Sequence, residues 1–242
     1  MAESERLRQE VAAGEAPATL RWYGYDAPGL VLGVSQDLSD VNLHACEAAR
    51  IVPVKRTSGG KAVLVNQWAY ALDVALPAGS ALALADVVEA YRWIGETFLE
   101  VLHGTAPAAA ERIGCVSPAE ARLDQEAQRA SAPESPNARR ALACFGTLSP
   151  YEVVTYSLAG DSAGKLIGLS QIRKRGIVLH QVGLYARPTG AELAGLLAVP
   201  PEQRPALAAE LNRRISSLEA IGLSAGDVAQ LMEGFNRRAP SP

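Results

Sequence analysis

The chain is organised around residues 56–63, which read Arg56-Thr57-Ser58-Gly59-Gly60-Lys61-Ala62-Val63. Paired glycines let the backbone adopt positive φ and approach a ligand closely. Consecutive amides in such a turn can bind an anion, and Arg56 and Lys61 add positive charge on either side. A Ser-Gly-Gly turn between two strands also has a purely structural interpretation, so the neighbouring segments must decide between the two.

Composition limits the class of protein. The chain has 242 residues, 48% of them hydrophobic, which suffices for one large domain with a buried core. Its formal net charge of −3 argues against nucleic acid or an anionic membrane surface as the main partner. No apolar run approaches the ~20 residues of a membrane span, and the charged N-terminus lacks the apolar segment of a signal peptide. We therefore expect a cytoplasmic protein with no nucleic-acid and no membrane partner.

The cysteines and histidines are few and far apart. Cys46, Cys115 and Cys144 are the three cysteines, and the chain has three histidines. No pair has the spacing of metal ligands, so we predict no metal site, no disulfide framework and a reducing compartment. An odd number of cysteines leaves one thiol available for chemistry.

Hydrophobic periodicity predicts an α/β (α+β) fold with a mixed, mostly antiparallel sheet flanked by helices. Alternation over residues 70–76 indicates a strand, and one broad apolar face over 84–103 indicates the longest helix. Further strands are predicted at 150–158, 165–172 and 177–185, with hairpin turns at 160–164 and 173–176 and later helices at 190–197, 201–213 and 224–237.

We predict one main domain over residues 1–190, with 191–242 as a helical C-terminal part of the same domain. Residues 105–140 are rich in Ala, Pro, Glu and Arg, and we interpret most of them as a long mobile loop containing at most a short helix at 118–130. Loops of this length inside a compact domain are usually functional or disordered.

Two residues stand out as chemical candidates. Cys144 follows the predicted loop and precedes Phe145-Gly146, which we place at the edge of the sheet. A thiol is a good acyl acceptor when a neighbour takes its proton, although many free cysteines are simply buried side chains. Lys165 begins a strand after a glycine-containing turn, where its ammonium can bond a carbonyl oxygen or phosphate; a solvated hairpin lysine is the alternative.

Four segments, taken in order, resemble the lipoate–protein ligase-like cofactor transferases, a family that also includes biotin ligases and octanoyltransferases. They are LRWYGY at 20–25, LGVSQ at 32–36, KRTSGGKAV at 55–63 and GKLIGLSQIR at 164–173. They are similar to the family patterns LR-Y-W, LG--Q, RR-SGGGAV and GKK--GSAQ-R. The resemblance implies the family's catalytic domain and an apolar acyl pocket, with substrate-binding residues Gln36, Arg56, Ser58, Gly59, Gly60, Lys61, Gly168 and Gln171.

Residues 143–145 and 149–152 are similar to the CF…S-YE segment of the cysteine-dependent octanoyltransferases and amidotransferases. This likeness implies Cys144 as nucleophile and Lys165 as the partner that orients the thioester carbonyl and helps to deprotonate the thiol. It implies octanoate or lipoate as the transferred group, with no cofactor bound. The donor would be acyl carrier protein, and the acceptor a lipoyl-domain or glycine-cleavage H-type protein. Arg56 would then be a vestige of adenylate binding.

Three departures from the family pattern keep alternatives open. Lys61 stands where a third glycine is common, Val-Asn at 65–66 replaces His-Asp, and Gln-Val at 181–182 replaces Gly-Ser after His180. An ATP-dependent lipoate ligase is the first alternative, in which Arg56 and Lys61 would hold the phosphate of an acyl-adenylate. A non-catalytic homologue that binds an acyl group or a partner is the second.

Overall fold

The computed structural model describes residues 2–157, 163–174 and 176–241. Within these ranges the chain forms nine strands and eight α-helices. The strands are β1 (Thr19–Tyr23), β2 (Gly29–Leu32), β3 (Val52–Lys55), β4 (Val63–Val65), β5 (Ala69–Pro77), β6 (Ile113–Cys115), β7 (Val153–Tyr156), β8 (Ala163–Lys174) and β9 (Ile177–Tyr185). The helices are α1 (Ala2–Ala13), α2 (Leu43–Ala48), α3 (Arg92–Thr105), α4 (Pro118–Arg129), α5 (Pro136–Arg139), α6 (Gly190–Leu196), α7 (Arg204–Arg214) and α8 (Val228–Arg238).

The strands make two sheets. The large sheet has the order β1-β5-β9-β8-β7-β6 and is antiparallel throughout. The small sheet has the order β3-β2-β4, in which β2 runs parallel to β3 and antiparallel to β4. The predicted mixed, mostly antiparallel sheet flanked by helices is confirmed.

One face of the large sheet is covered by α3 and α8. Leu72, Val74 and Leu76 point to this side because they alternate along β5, and they share a core with α3 and α8. Phe98 of α3 and Phe235 of α8 have their ring centroids 4.5 Å apart, and both are fully buried. The apolar faces of β5, α3 and α8 therefore meet in this layer.

The opposite face of the large sheet is divided between two coverings. Leu7 and Val11 of α1 cover one part, where they pack with Ala75 and Leu179. The small sheet and α6 and α7 cover another part, through a second core that includes Leu64 of β4. A space remains between the two coverings, and the site described below occupies it.

The prediction of a long loop over residues 105–140 is wrong. This stretch contains β6, α4 and α5, and the helix expected at 118–130 is confirmed. Ser117 caps α4 by accepting the N–H of Glu120, whose carboxylate accepts the N–H of Ser117 in return. Buried Arg140 donates to both carboxylate oxygens of Asp124, at 3.1 and 2.9 Å, and so ties the segment to the fold. A composition rich in Ala, Glu and Arg suits an exposed helix as well as a loop.

The helix predicted at 84–103 begins later than expected, at Arg92. Asp86 accepts the N–H groups of Val88 (2.7 Å) and Glu89 (3.0 Å), which diverts this backbone into a single 3-10 turn. Val87 and Val88 were expected on the buried face, but they remain 50% and 38% exposed.

The hairpin and C-terminal predictions have mixed outcomes. Lys174 pairs with Ile177 across the β8–β9 turn, as expected. Residues 160–162 of the earlier turn, and Arg175 at the basic tip, lie outside the described residues. The three C-terminal helices are confirmed as α6, α7 and α8. The boundary near residue 190 stays a prediction. No described helix is both long enough and apolar enough to cross a membrane.

The aromatic layer provides a test of the core. Replacing Phe235 with Ala removes a fully buried ring that packs on Phe98 and Trp22. We expect a loss of about 3–5 kcal/mol in the free energy of unfolding, measured by urea denaturation. The control is Arg237→Ala on the same helix, whose side chain is 64% exposed and whose replacement should change stability by less than ~0.5 kcal/mol. Equal effects of the two variants would contradict this account of the core.

Candidate functional site

A row of small residues crosses the large sheet and makes the floor of a cavity. Tyr23 pairs with Ala71, Ala71 with Gly183, and Gly183 with Gly168, across four neighbouring strands. Directly opposed residues in antiparallel strands point to the same face, so these four share one side of the sheet. Because two of the four are glycines, this strip has few side chains of its own, and the ring of Phe145 packs on both glycines.

The small sheet makes the roof. Val31 pairs with Val63, and both line the cavity together with Val65. The alternating residues Leu30 and Leu64 point the other way, into the core, and both are fully buried. The cavity volume is about 100 Å³, and the cavity opens to solvent. Its largely apolar lining suits a small apolar group.

Part of the cavity lining is polar and includes Tyr23 and Gln181, which contact Asp73 behind them. Asp73 is fully buried and accepts a hydrogen bond from Arg21 at 2.6 Å. The hydroxyl of Tyr23 lies 3.3 Å from the same carboxylate, and burial raises the pKa of Tyr23. Gln181 donates to Asp73 at 3.4 Å and accepts from Ser58 at 3.1 Å, so it links the large sheet to the loop over the cavity.

Cys144 lies in a turn at the mouth of the cavity. It begins the 3-10 turn Cys144–Gly146. The expectation that this segment lies at the edge of the sheet is therefore wrong. The backbone N–H of Cys144 donates to the carbonyl of Ala62 at 2.9 Å. Ala62 lies near the end of residues 56–63, which we call the glycine loop. The next side chain, Phe145, packs against Gly168 and Gly183. The thiol is thereby held beside the floor of the cavity.

A second pocket, of about 240 Å³, meets the cavity at Cys144. Its lining is more polar than that of the cavity and comprises Gly59, Gly60, Lys61, Tyr91, Cys144, Thr147, Ser149, Glu152, Lys165, Leu169, Ser170 and Gln171. The thiol therefore has an apolar space on one side and a polar space on the other.

Lys165 is the buried charge of the site. Its ammonium donates to Glu152 Oε1 at 2.8 Å and lies 2.7 Å from Oε2. It also donates to the backbone carbonyl of Cys144 at 2.8 Å. Among the described residues these are its only hydrogen-bond partners, so none of its hydrogen bonds goes to the thiol. Lys165 positions the turn that carries Cys144.

Sequence reasoning missed Glu152 as a site residue. The carboxylate is almost fully buried, and it accepts the backbone N–H groups of Ser149 at 2.7 Å and Leu169 at 3.1 Å. Burial raises the pKa of Glu152, while Lys165 and these N–H groups favour the charged form. A signal was present, because Glu152 ends the S-YE part of the motif that contains Cys144.

Arg56 approaches the thiol more closely than expected. Its Nη2 lies 3.9 Å from Cys144 Sγ, while Nε donates to the carbonyl of Gly59 at 3.1 Å. Gly60 has a φ of +95°, and a Cβ there would lie 3.4 Å from the thiol sulfur. This glycine makes the close approach of loop and thiol feasible.

The remaining predicted residues divide between lining and support. Ser58 is buried and bonds Gln181, and Gly168 lies on the cavity floor. Gly59, Lys61 and Gln171 line the second pocket, and Gln171 also donates to the carbonyl of Val87 at 2.7 Å.

Gln36 has a supporting position. It is fully buried, donates to the carbonyl of Leu142 at 3.1 Å and accepts the N–H of Gly33 at 3.3 Å. It does not line either pocket around Cys144. Its contacts hold the segment before Cys144 against the end of β2. As for metals, the described residues contain no cluster of three or more His, Cys, Asp or Glu side chains that could hold one.

A family model and several known proteins are similar to this chain in sequence. A family model described as the lipoyl protein ligase A/B catalytic domain matches residues 1–236. Octanoyltransferase LipM of Kyrpidia tusciae is 31% identical over 208 residues, which is 84% of this chain and 67% of the relative. Octanoyltransferase LipM of Moorella thermoacetica is 27% identical, covering 91% of this chain and 73% of the relative.

Solved structures share the fold. A bipartite lipoate protein ligase from Thermoplasma acidophilum aligns with a TM-score of 0.66 at 16% identity, over 98% of this chain and 78% of that one. A lipoate-protein ligase A bound with ATP aligns with a TM-score of 0.60 at 16% identity, over 98% of this chain and 80% of that one.

His180 gives a prediction about pH. Its ring is buried against Tyr91, and neither ring nitrogen has a hydrogen-bond partner among the described residues. Burial, with Arg173 nearby, lowers the pKa of His180 to about 4. A histidine in the unfolded chain has a pKa of about 6.5, so acid protonates the unfolded state first. The contribution of neutral His180 to the free energy of unfolding is complete above about pH 6.5. It is lost as the pH falls towards 4, which lowers the free energy of unfolding by about 3 kcal/mol.

The measurement is the free energy of unfolding across this range. His180→Phe should flatten the dependence relative to wild type. Val182→Ala, a non-titrating change on the same strand, should lower stability while keeping the wild-type slope. A wild-type slope in His180→Phe would show that other groups cause the acid sensitivity.

Proposed function

The chain belongs to the lipoyl protein ligase A/B catalytic-domain family, as its motifs indicated, and we propose that it transfers an octanoyl group to a protein lysine through a thioester on Cys144. The observation that carries the proposal is the position of Cys144, between an apolar cavity and a polar pocket. The acyl chain would occupy the cavity. The arm that delivers it, and later the lysine that receives it, would occupy the polar pocket.

The dimensions of the cavity suit a chain of medium length. The floor row spans three interstrand steps from Gly168 to Tyr23, or about 14 Å at ~4.8 Å per step. An extended eight-carbon chain is about 9 Å long, given C–C bonds of ~1.5 Å. Tyr23 and Tyr25, whose rings meet edge to face at 5.6 Å, would stand at the far end.

The chemistry is two successive acyl transfers. The thiolate of Cys144 attacks the carbonyl carbon of a donor thioester, and the donor sulfur leaves and takes up a proton. A neutral lysine amine of the acceptor then attacks the new thioester, the amide forms as the nitrogen releases a proton to solvent, and the Cys144 sulfur leaves as a thiolate. Lys165 keeps the turn in place throughout, because its ammonium holds the carbonyl of Cys144 and the carboxylate of Glu152.

Acyl carrier protein is the donor we propose, since it presents acyl groups as thioesters. A lipoyl domain or a glycine-cleavage H-type protein is the proposed acceptor. Support for the acceptor comes from the Thermoplasma acidophilum ligase of similar fold, which is described together with its E2 lipoyl domain. We propose that no cofactor is required.

Intact mass spectrometry tests the thioester. After incubation with octanoyl carrier protein, the protein should gain the mass of one octanoyl group, and hydroxylamine should remove it. The adduct should be absent in Cys144→Ala and retained in Cys115→Ala, a half-buried thiol away from the cavity. An adduct that survives Cys144→Ala would refute the proposed nucleophile.

Filling the cavity tests the acyl site. Gly183→Leu would place a branched side chain on the floor between Ala71 and Gly168. We expect at least a tenfold loss of octanoyl loading, with a smaller loss for a two-carbon acyl donor. Gly104→Ala, at a site with no atom within 4 Å of the added Cβ, is the control and should load normally. Equal loss with both donors would contradict the proposed place of the chain.

An ATP-dependent lipoate ligase is the second candidate function. The observation that favours it is Lys61, a cation that lines the same polar pocket as the thiol. Release of pyrophosphate that requires lipoate, and persists in Cys144→Ala, would establish this activity. Absence of turnover in both assays would instead favour a non-catalytic homologue.

A further inference from the structure

We infer that Arg56, rather than Lys165, supplies the positive charge that stabilises the thiolate of Cys144. The inference rests on the proposed function, since it assigns the group that activates the proposed nucleophile. It reverses the expectation that Arg56 is a remnant of adenylate binding and that Lys165 acts on the thiol.

The hydrogen bonds of Lys165 are already committed. An ammonium has three N–H donors, and those of Lys165 face both oxygens of Glu152 and the backbone carbonyl of Cys144, at 2.7–2.8 Å. Its charge is compensated at close range by a buried carboxylate. Donating to the sulfur would require it to give up one of these buried bonds, which is costly.

Arg56 has charge and donors to spare. Its side chain forms no ion pair with any described residue, and the bonds of Nε and Nη2 to the carbonyls of Gly59 (3.1 Å) and Lys61 (3.3 Å) leave its charge uncompensated. Nη2 also lies 3.9 Å from the sulfur of Cys144. Within the described part of the chain, Nη1 has no protein acceptor and is free to bond the thioester oxygen.

The backbone is shaped for this contact. Gly60 has positive φ, and any Cβ at this position would collide with Nη2 of Arg56 and lie 3.4 Å from the sulfur. The loop carbonyls hold the guanidinium from one side, and the turn at Ala143 holds Cys144 from the other through its bridge to Ala62. Guanidinium and thiol are therefore brought together by two segments that are joined to each other.

Arg56 stays protonated in both transfer steps. The thiol proton goes to solvent when the thiolate forms, and the charge of the thiolate is balanced by the guanidinium. When the acceptor amine displaces Cys144 from the thioester, the leaving thiolate regains the same partner. A charge of opposite sign at this distance raises the ionised fraction of an acid by about tenfold or more.

Thiol alkylation tests the inference without any acyl donor. Rates at Cys144 are followed at neutral pH by peptide mass spectrometry with uncharged iodoacetamide and anionic iodoacetate. Arg56→Gln should slow iodoacetamide by about tenfold, and slow iodoacetate further because the anion loses its attraction. Lys55→Gln removes the same charge one residue earlier, from a side chain that pairs with Asp37, and should react within a factor of two of wild type.

A purely structural role for Arg56 predicts a different result. If Arg56 only holds the loop, Arg56→Gln should lower the melting temperature and leave alkylation unchanged or faster, since the thiol would be more exposed. That outcome overturns the inference, as does a tenfold loss confined to a Lys165→Met/Glu152→Gln double variant. If wild type takes up no octanoyl group, the proposed function fails while the alkylation rates still decide the role of Arg56.

Discussion

The buried ion pair between Lys165 and Glu152 is the interaction on which the site depends. Both side chains are about 1% exposed, and three segments converge on them. Lys165 holds the turn of Cys144 by its side chain, while its backbone carbonyl accepts the N–H of Ser216 at 2.9 Å, which attaches the chain that follows α7. Removing one partner of such a pair typically costs about 3–5 kcal/mol, because the other charge is left buried alone. The position of the thiol is thus part of the fold's own stability.

The second constraint is the cavity between the large sheet and the small sheet. Gly168 and Gly183 bring no side chain of their own to this strip; the ring of Phe145 packs on them, and the cavity lies beside that ring and Ala71. The small sheet then roofs this strip with valines and turns its leucines into the core. Its alternation does two tasks, since one face stabilises the protein and the other lines the cavity.

The fold was largely predictable because its signals are local. Alternation and turn residues locate β5, β8 and β9, and the apolar face of α3 is clear from residue 92 onward. The start of that helix was not predictable from the apolar pattern, because a side chain, Asp86, captures two backbone donors first. Residues 105–140 are tied to the fold by the ion pair between Arg140 and Asp124. These two residues are far apart in the sequence, so a local pattern does not predict their contact.

The site was predictable as a set of residues but not as a set of contacts. Cys144, Lys165 and the glycine loop do lie together, whereas Gln36 holds the segment before Cys144 from outside both pockets. A motif gives order along the chain and says nothing of which cation reaches which atom. Only the geometry shows that Lys165 faces a carboxylate and that Arg56 faces the sulfur.

The glycines of the cavity floor have a consequence for the enzyme's heat resistance. Glycine is a poor strand former, and the cavity leaves the side chains that line it without contacts that a filled core would give them. An acyl chain in this space supplies those contacts to the folded state alone, and a ligand that binds only the folded state stabilises it. The proposed acyl-enzyme is therefore expected to have the higher melting temperature, which would report whether the protein carries an acyl group.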